Sequence, residues 1–162
     1  MKYKKAQTLI LLAAIAFTGV VYAGGDHAAG HQHGENETAI GKPGESVNVN
    51  RTISIVMTDN MRFTPSNILV RRGETVRFVI KNNGQVKHEL SLGTQKELLE
   101  HLELMKKFPD MAHDEPNQVT LSPGQQGEIV WQFTDAGTVN FACLMPGHYE
   151  AGMKGLIKVG NK

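Results

Sequence analysis

Hydrophobic and polar side chains alternate along most of the chain beyond residue 50, with the two-residue period of a half-buried β-strand. Turn-forming Gly, Pro, Asn and Asp residues separate the alternating segments. Eight segments show the pattern: Thr52–Thr58, Asn67–Arg71, Thr75–Lys81, Lys87–Leu92, Gln118–Leu121, Gly127–Phe133, Thr138–Cys143 and Gly155–Val159. Short strands at this spacing predict an all-β fold, a β-sandwich with Greek-key connections.

One segment departs from the strand period and predicts a helix. Thr94 and Glu97 have the spacing of a capping box, in which each side chain bonds the backbone N–H of the other residue. Hydrophobic residues then follow at helical spacing: Leu98, Leu99, Leu102, Met105 and Phe108. Pro109 ends the pattern, because proline does not continue a helix. We therefore expect one helix inserted between two strands of the sandwich.

The first 23 residues have the features of a secretory signal peptide. Lys2, Lys4 and Lys5 precede an apolar run of about 13 residues, and Val21–Ala23 offers the small residues that a signal peptidase recognises. The alternative is an uncleaved membrane anchor, but a spanning helix needs about 20 apolar residues. The sequence therefore predicts a signal peptide over residues 1–23, export to the periplasm, and no membrane association after cleavage.

The segment over residues 24–50 differs in composition from the rest of the chain. It is rich in Gly, His, Glu and Asn and contains few large apolar side chains, a composition typical of a flexible segment. We therefore predict a His-rich flexible leader over residues 24–50 and one domain over residues 51–162. On its strand, Trp131 is expected in the core of that domain.

The composition of the chain limits the classes of partner that it can bind and indicates metal chemistry. The chain has 17 Lys and Arg side chains against 16 Asp and Glu, with no basic cluster in its body, so nucleic acid is not expected as a partner. A single cysteine excludes an internal disulfide framework. The chain nevertheless has seven His and seven Met, and both residue types bind metals.

Four residues form a pattern that carries chemistry. Cys143 ends a predicted strand, His148 follows five residues later and Met153 five residues after that, while His88 lies in an earlier strand. Two imidazoles and a thiolate in a trigonal arrangement, with a distant thioether on the axis, form a blue-copper electron-transfer site. A lone thiol in an exported protein is open to oxidation unless it is buried or bound to a metal. The pattern therefore predicts a copper site.

From about residue 52 to residue 159 the sequence resembles a cupredoxin, the blue-copper fold of azurin, plastocyanin and rusticyanin. The Cys-x4-His-x4-Met spacing is similar to the rusticyanin loop. The narrower resemblance is to periplasmic cupredoxins of copper tolerance. Four motifs carry it: Lys87–Leu90, Phe108–His113, Glu128–Phe133 and Phe141–His148.

The resemblance implies that His88, Cys143, His148 and Met153 are copper ligands. It also implies that His148 emerges through an apolar patch and acts as the electron port, where a redox protein such as a cytochrome or a copper oxidase would dock. Copper ions are the expected cofactor and partner.

Three classes of function are compatible with such a site: copper tolerance and handling, electron transfer, and enzymatic catalysis. We favour copper tolerance and handling because the chain has surplus His and Met residues. The alternative is an electron carrier between respiratory redox partners. An enzyme is not expected. A multicopper oxidase places His residues beside its blue-copper Cys, whereas Cys143 is flanked by Ala142 and Leu144.

The surplus residues also predict a second, more exposed copper site. His101 and Met105 stand four residues apart and share a helix face, and the acidic loop after the helix adds Met111 and His113. The leader residues His27, His31 and His33 are candidates to complete it. The alternative is that Met105 belongs to the core and the histidines are ordinary surface residues.

Overall fold

The computed structural model describes residues 38–108 and 115–161, which fold as a sandwich of two five-stranded sheets with one α-helix. The strands are β1 (Lys42–Pro43), β2 (Arg51–Thr58), β3 (Arg62–Thr64), β4 (Asn67–Arg71), β5 (Thr75–Asn82), β6 (His88–Gly93), β7 (Gln118–Leu121), β8 (Gln126–Gln132), β9 (Gly137–Ala142) and β10 (Lys154–Gly160). The helix α1 spans Gln95–Lys107, and a short 3-10 turn spans Ser46–Asn48.

The two sheets mix parallel and antiparallel pairs. The first sheet has the order β1-β8-β5-β2-β3, in which only β2 and β5 run parallel. The second has the order β4-β10-β9-β6-β7, in which only β4 and β10 run parallel. Several strands that follow one another in the chain, such as β4 and β5, lie in different sheets. Strands that are distant in the sequence therefore become neighbours within a sheet.

The predicted fold class is confirmed. Each of the eight predicted strands is present, and its ends differ from the prediction by at most one residue. Strands β1 and β3 were not predicted. They contain two and three residues, too few for an alternation of side chains to be recognised in the sequence.

The core lies between the sheets and is rich in aromatic rings. Phe63 and Phe141 meet edge to face with ring centroids 5.1 Å apart, and Phe78 and Phe133 do so at 6.2 Å. Trp131 is buried on β8, as predicted, and its indole N–H donates to the carbonyl of Ile40 at 2.8 Å. These buried side chains join the two sheets.

Helix α1 begins and ends as the sequence predicts. Thr94 and Glu97 form the complete capping box, and the helix ends at Lys107 with Phe108 as its C-terminal cap. The buried side chains of the helix, Leu98, Leu102 and Met105, pack against Ala142 and Leu144 of the second sheet and the residues after it. Within residues 38–108 and 115–161, no helix is long and apolar enough to cross a bilayer.

The predicted boundary between leader and domain needs correction. Ile40 is buried in the core cluster, Lys42 and Pro43 pair with Gln132 and Trp131 of β8, and the chain from Thr38 onward is therefore packed on the sandwich. The docking involves one large apolar residue, a backbone carbonyl that accepts the indole N–H and a two-residue strand, so the composition of residues 24–50 did not indicate it. The predicted signal peptide and the earlier part of the leader lie outside the described residues.

Candidate metal centre

Three ligand-type side chains converge at one end of the second sheet. His88 is the first residue of β6, Cys143 directly follows β9, and His148 lies in the loop between β9 and β10. Strands β6 and β9 are antiparallel neighbours, so the beginning of one lies beside the end of the other. The sheet topology therefore brings together residues that are 55 positions apart in the chain, such as His88 and Cys143.

The donor atoms of these side chains face one another. The Nδ1 atoms of His88 and His148 are 3.2 Å apart, and the Sγ of Cys143 is 3.3 Å from Nδ1 of His148. One donor atom from each of the three side chains lies within 4.8 Å of the others. Two imidazoles and a thiol in this arrangement are the equatorial donor set of a blue-copper site, so the residues fit copper chemically.

The loop that carries His148 is tied together by its own backbone. His148 N–H donates to Met145 O, Met153 N–H donates to His148 O, and Cys143 N–H donates to Met153 O, each at 3.0 Å. Gly147 has a φ of +83°, a conformation that favours glycine, and thereby lets the chain turn directly before His148. This network brings the Met153 backbone to Cys143, and the Met153 side chain is buried in the same core cluster.

Asp59 holds the far side of the His88 ring. Nε2 of His88 lies 3.0 Å from Oδ1 of Asp59, so Nε2 carries the proton and the lone pair of Nδ1 points into the site. The N–H of Gln85 and then the bond to His88 lower the pKa of Asp59. A Cβ at Gly84 would overlap Oδ1 of Asp59 and come within 3.1 Å of His88 Nε2, so this position needs glycine.

Cys143 is fully buried, and its sulfur accepts the backbone N–H of Glu89 at 3.3 Å. Burial raises the pKa of Cys143 to about 12 and the charge of Glu89 adds to this, while the N–H groups of Glu89 and Met145 act in the opposite direction. The metal-free side chain is therefore a thiol at neutral pH, and metal binding must release its proton.

His148 is only half-buried, unlike the two other side chains of the cluster. Burial lowers the pKa of His148, the neighbouring His88 lowers it further, and Asp59 opposes both. The imidazole of His148 is therefore biased toward the neutral form, whose nitrogen can bind a metal.

Residues 47–160 match the family model of copper binding proteins of the plastocyanin/azurin family. This chain belongs to that family. As a cupredoxin it has copper as its metal.

Named relatives and solved structures agree with this assignment. The chain is 48% identical to the copper-resistant cuproprotein CopI of Rubrivivax gelatinosus, over 93% of each chain. It is 37% identical to CopI of Pseudomonas aeruginosa, over 93% of this chain and 96% of that one. Among solved structures, auracyanin of Roseiflexus castenholzii superimposes with a TM-score of 0.59 at 23% identity, over 69% of this chain and 98% of that one. Auracyanin A of Chloroflexus aurantiacus does so with a TM-score of 0.57 at 25% identity, over 67% and 98%.

Supporting residues of this cupredoxin site were not evident from its sequence. Asp59 lies in a polar turn and Asn82 directly precedes one, and such residues are common at turns for reasons of backbone conformation alone. Asn82 is buried; its amide donates to the carbonyls of Val86 and Leu121 and its oxygen accepts the N–H of Gly84. It thereby fixes the turn that leads into β6 and His88.

Helix α1 braces the ligand loop from outside. Tyr149, next to His148, accepts a 2.8 Å hydrogen bond from Gln95 through its hydroxyl and packs on the apolar side of the helix. At the other end of the helix, Lys106 forms an ion pair with Glu150 at 3.2 Å. The inserted helix therefore contacts the segment that presents His148.

The structure describes only part of the predicted second site. Met105 is 3% exposed and packs in the apolar cluster of Leu98, Leu102, Ala142 and Leu144, as expected of a core residue. His101 is half-buried on the same helix. The remaining candidates, Met111, His113, His27, His31 and His33, lie outside the described residues, so this site stays a prediction.

Proposed function

We propose that this cupredoxin holds one copper ion between His88, Cys143 and His148, with Met153 as the axial ligand, and that it serves copper tolerance in the periplasm. The observation that carries the proposal is the convergence of two Nδ1 atoms and one Sγ within 4.8 Å of one another. Two imidazole nitrogens and one sulfur in this arrangement are the trigonal donor set of a blue-copper site.

The names of the relatives support the copper-tolerance part. Three relatives bear the name copper-resistant cuproprotein CopI, the third being that of Vibrio cholerae at 34% identity. The similarity to the first two covers 93% of this chain, so it extends beyond the cupredoxin fold. A copper-handling role therefore has more support than a carrier between respiratory partners.

Each ligand has a distinct role in the proposed site. Copper bound there supplies a one-electron couple between its two oxidation states. The buried Cys143 would offer a soft thiolate, His88 is held in one tautomer by Asp59, and Met153 would provide a thioether that stabilises Cu(II) only weakly. The half-buried His148 is the ligand nearest to solvent and is the proposed contact for a redox protein.

We propose no enzymatic activity, because Cys143 lies between Ala142 and Leu144 and has no adjacent histidine to relay electrons to a further cluster. A periplasmic location follows from the predicted signal peptide over residues 1–23. The predicted second site, with His101, Met111 and His113, would add capacity for copper.

The proposal is tested in a deletion strain of the organism that carries the gene. Wild type, Cys143→Ser and the matched control Met145→Leu are expressed at equal levels, and growth is measured against copper concentration. We expect wild type and Met145→Leu to restore tolerance and Cys143→Ser to fail. Equal rescue by Cys143→Ser would refute a function based on this site.

A further inference from the structure

Strand β6 buries an acidic residue beside the metal centre. Glu89 follows His88 and is only 1% exposed. Successive side chains of a strand point to opposite faces, so Glu89 and Ser91 lie on the face opposite to Leu90 and Leu92 of the core. Burying a carboxylate is costly, and its retention requires a compensating interaction.

The carboxylate of Glu89 is surrounded by neutral donors. Ser91 donates its hydroxyl to Oε1 at 2.8 Å, Gln118 donates its amide to Oε2 at 3.0 Å, and Thr120 donates its hydroxyl to Oε2 at 3.2 Å. An ionised carboxylate only accepts hydrogen bonds, so three donors suit that form. In the described ranges no lysine or arginine forms an ion pair with Glu89, and its charge is not neutralised there.

Glu89 is also connected to the sulfur of the site. Its backbone N–H donates to Sγ of Cys143 at 3.3 Å, and hydrogen bonds to this sulfur tune the redox potential of a blue-copper site. The bonds from Gln118 and Thr120 hold the carboxylate of Glu89 against β7, and the pairing of β6 with β7 fixes the direction of that N–H. One residue thus presents a donor to the sulfur and places a negative charge behind it.

We infer that Glu89 is a positioning residue that selects for divalent over monovalent metal at the Cys143 site. This inference rests on the proposed ligand set. The Coulomb energy with a carboxylate is proportional to the charge that an ion brings, and Cu(II) or Zn(II) brings one more positive charge than Cu(I), so Glu89 stabilises the divalent ions more strongly. Screening by salt is weak for a buried group, so the difference persists at physiological ionic strength.

The test compares metal affinities of the full mature protein and its Glu89→Gln variant. Glutamine keeps the shape of glutamate and removes its charge. We expect the affinities for Cu(II) and for Zn(II) to fall about tenfold more than the affinity for Cu(I). That difference is a tenfold shift toward Cu(I), which corresponds to a reduction potential higher by 59 mV for one electron.

A matched control removes a charge that is exposed. Glu128 on β8 is paired with Arg77 at 3.5 Å and its side chain is 56% exposed, so Glu128→Gln should leave all three affinities within about twofold. Equal losses for all three metals in Glu89→Gln would mean a merely structural role and would overturn the inference, as would unchanged affinities.

A second variant and the visible absorption band distinguish failure of this inference from failure of the proposed ligand set. If Glu89→Gln does not fold, Glu89→Asp, which retains the charge, is measured; it should keep the wild-type ratio of Cu(II) to Cu(I) affinity, and a tenfold shift in it would overturn the inference. The visible band that depends on Cys143 should persist in each folded variant. Its absence in the wild type would refute the proposed ligand set, whereas its presence with an unchanged affinity ratio would refute only the role of Glu89.

Discussion

The chain has two groups of His and Met residues that the sequence marks as metal candidates, and the fold treats them differently. At the Cys143 site, the donors His88, Cys143 and His148 come from strand ends and a tied loop, and their donor atoms face one another. On α1, the side chain of Met105 packs in an apolar cluster. Among the described residues, the candidate donor atoms therefore converge where the sheet topology brings strand ends together.

The largest expected difference between the two groups concerns the Cys143 thiolate. Cys143→Ala should abolish the intense visible absorption of the copper-loaded protein, because thiolate-to-copper charge transfer requires that sulfur. Met105→Leu, the matched change in the other group, should retain the band. Absorption spectra of both variants at equal copper content decide this, and a band of wild-type intensity in Cys143→Ala would contradict the assignment.

Truncation of the helix methionine should affect stability rather than colour. Met105→Ala removes buried atoms from the cluster with Leu98 and Leu102, so the free energy of unfolding should fall by about 2–5 kcal/mol. Met105→Leu conserves volume and should cost less than about 1.5 kcal/mol. Denaturant unfolding of the metal-free variants measures both; loss of the visible band in Met105→Ala while it remains folded would show that the two groups are not separate.

The support of His88 gives the next largest effect. Gly84→Ala should displace Asp59, free Nε2 of His88 and lower copper affinity by about 10–100-fold, since partners of metal-bound histidines typically contribute that much. Gly160→Ala is the control, because its Cβ would meet only the carbonyl of Val70 at 3.9 Å. Competition titrations with a copper chelator compare the two, and equal affinities would exclude the proposed role of Asp59.

The smallest expected effect belongs to Met153, the proposed axial ligand. Met153→Leu should keep copper and the visible band but raise the reduction potential by an amount equivalent to about tenfold in the Cu(I) to Cu(II) preference, because loss of a weak ligand destabilises Cu(II) more. Voltammetry of wild type and variant measures the shift. Complete loss of copper would instead mean that Met153 is not a weak axial ligand.

The sequence alone predicted the features that depend only on residues close together in the chain. The alternation of side chains in eight strands and the capping box of Thr94 and Glu97 are set by neighbours in the chain, and all of them are present. The boundary of the leader was misplaced because the docking of Ile40 depends on Trp131, which lies 91 positions away. A contact between residues so far apart in the chain cannot be predicted from a local sequence pattern.

The supporting residues of the site were missed for the same reason. Asp59 lies 29 positions from His88 in the chain, and in the sequence it is indistinguishable from any turn aspartate. Glu89 occupies a strand position that alternation places on the polar face, so its burial depends on what covers that face. The ligand residues could be proposed from spacing, whereas the groups that orient them require the three-dimensional structure.

X-ray absorption at the copper edge of the loaded protein tests the central claim most directly, because it reports the atoms bound to the metal. The account predicts one sulfur at short distance together with two imidazole nitrogens, and loss of that sulfur in Cys143→Ser. A spectrum with only nitrogen and oxygen neighbours in the wild type, or a short sulfur that persists in Cys143→Ser, would contradict it.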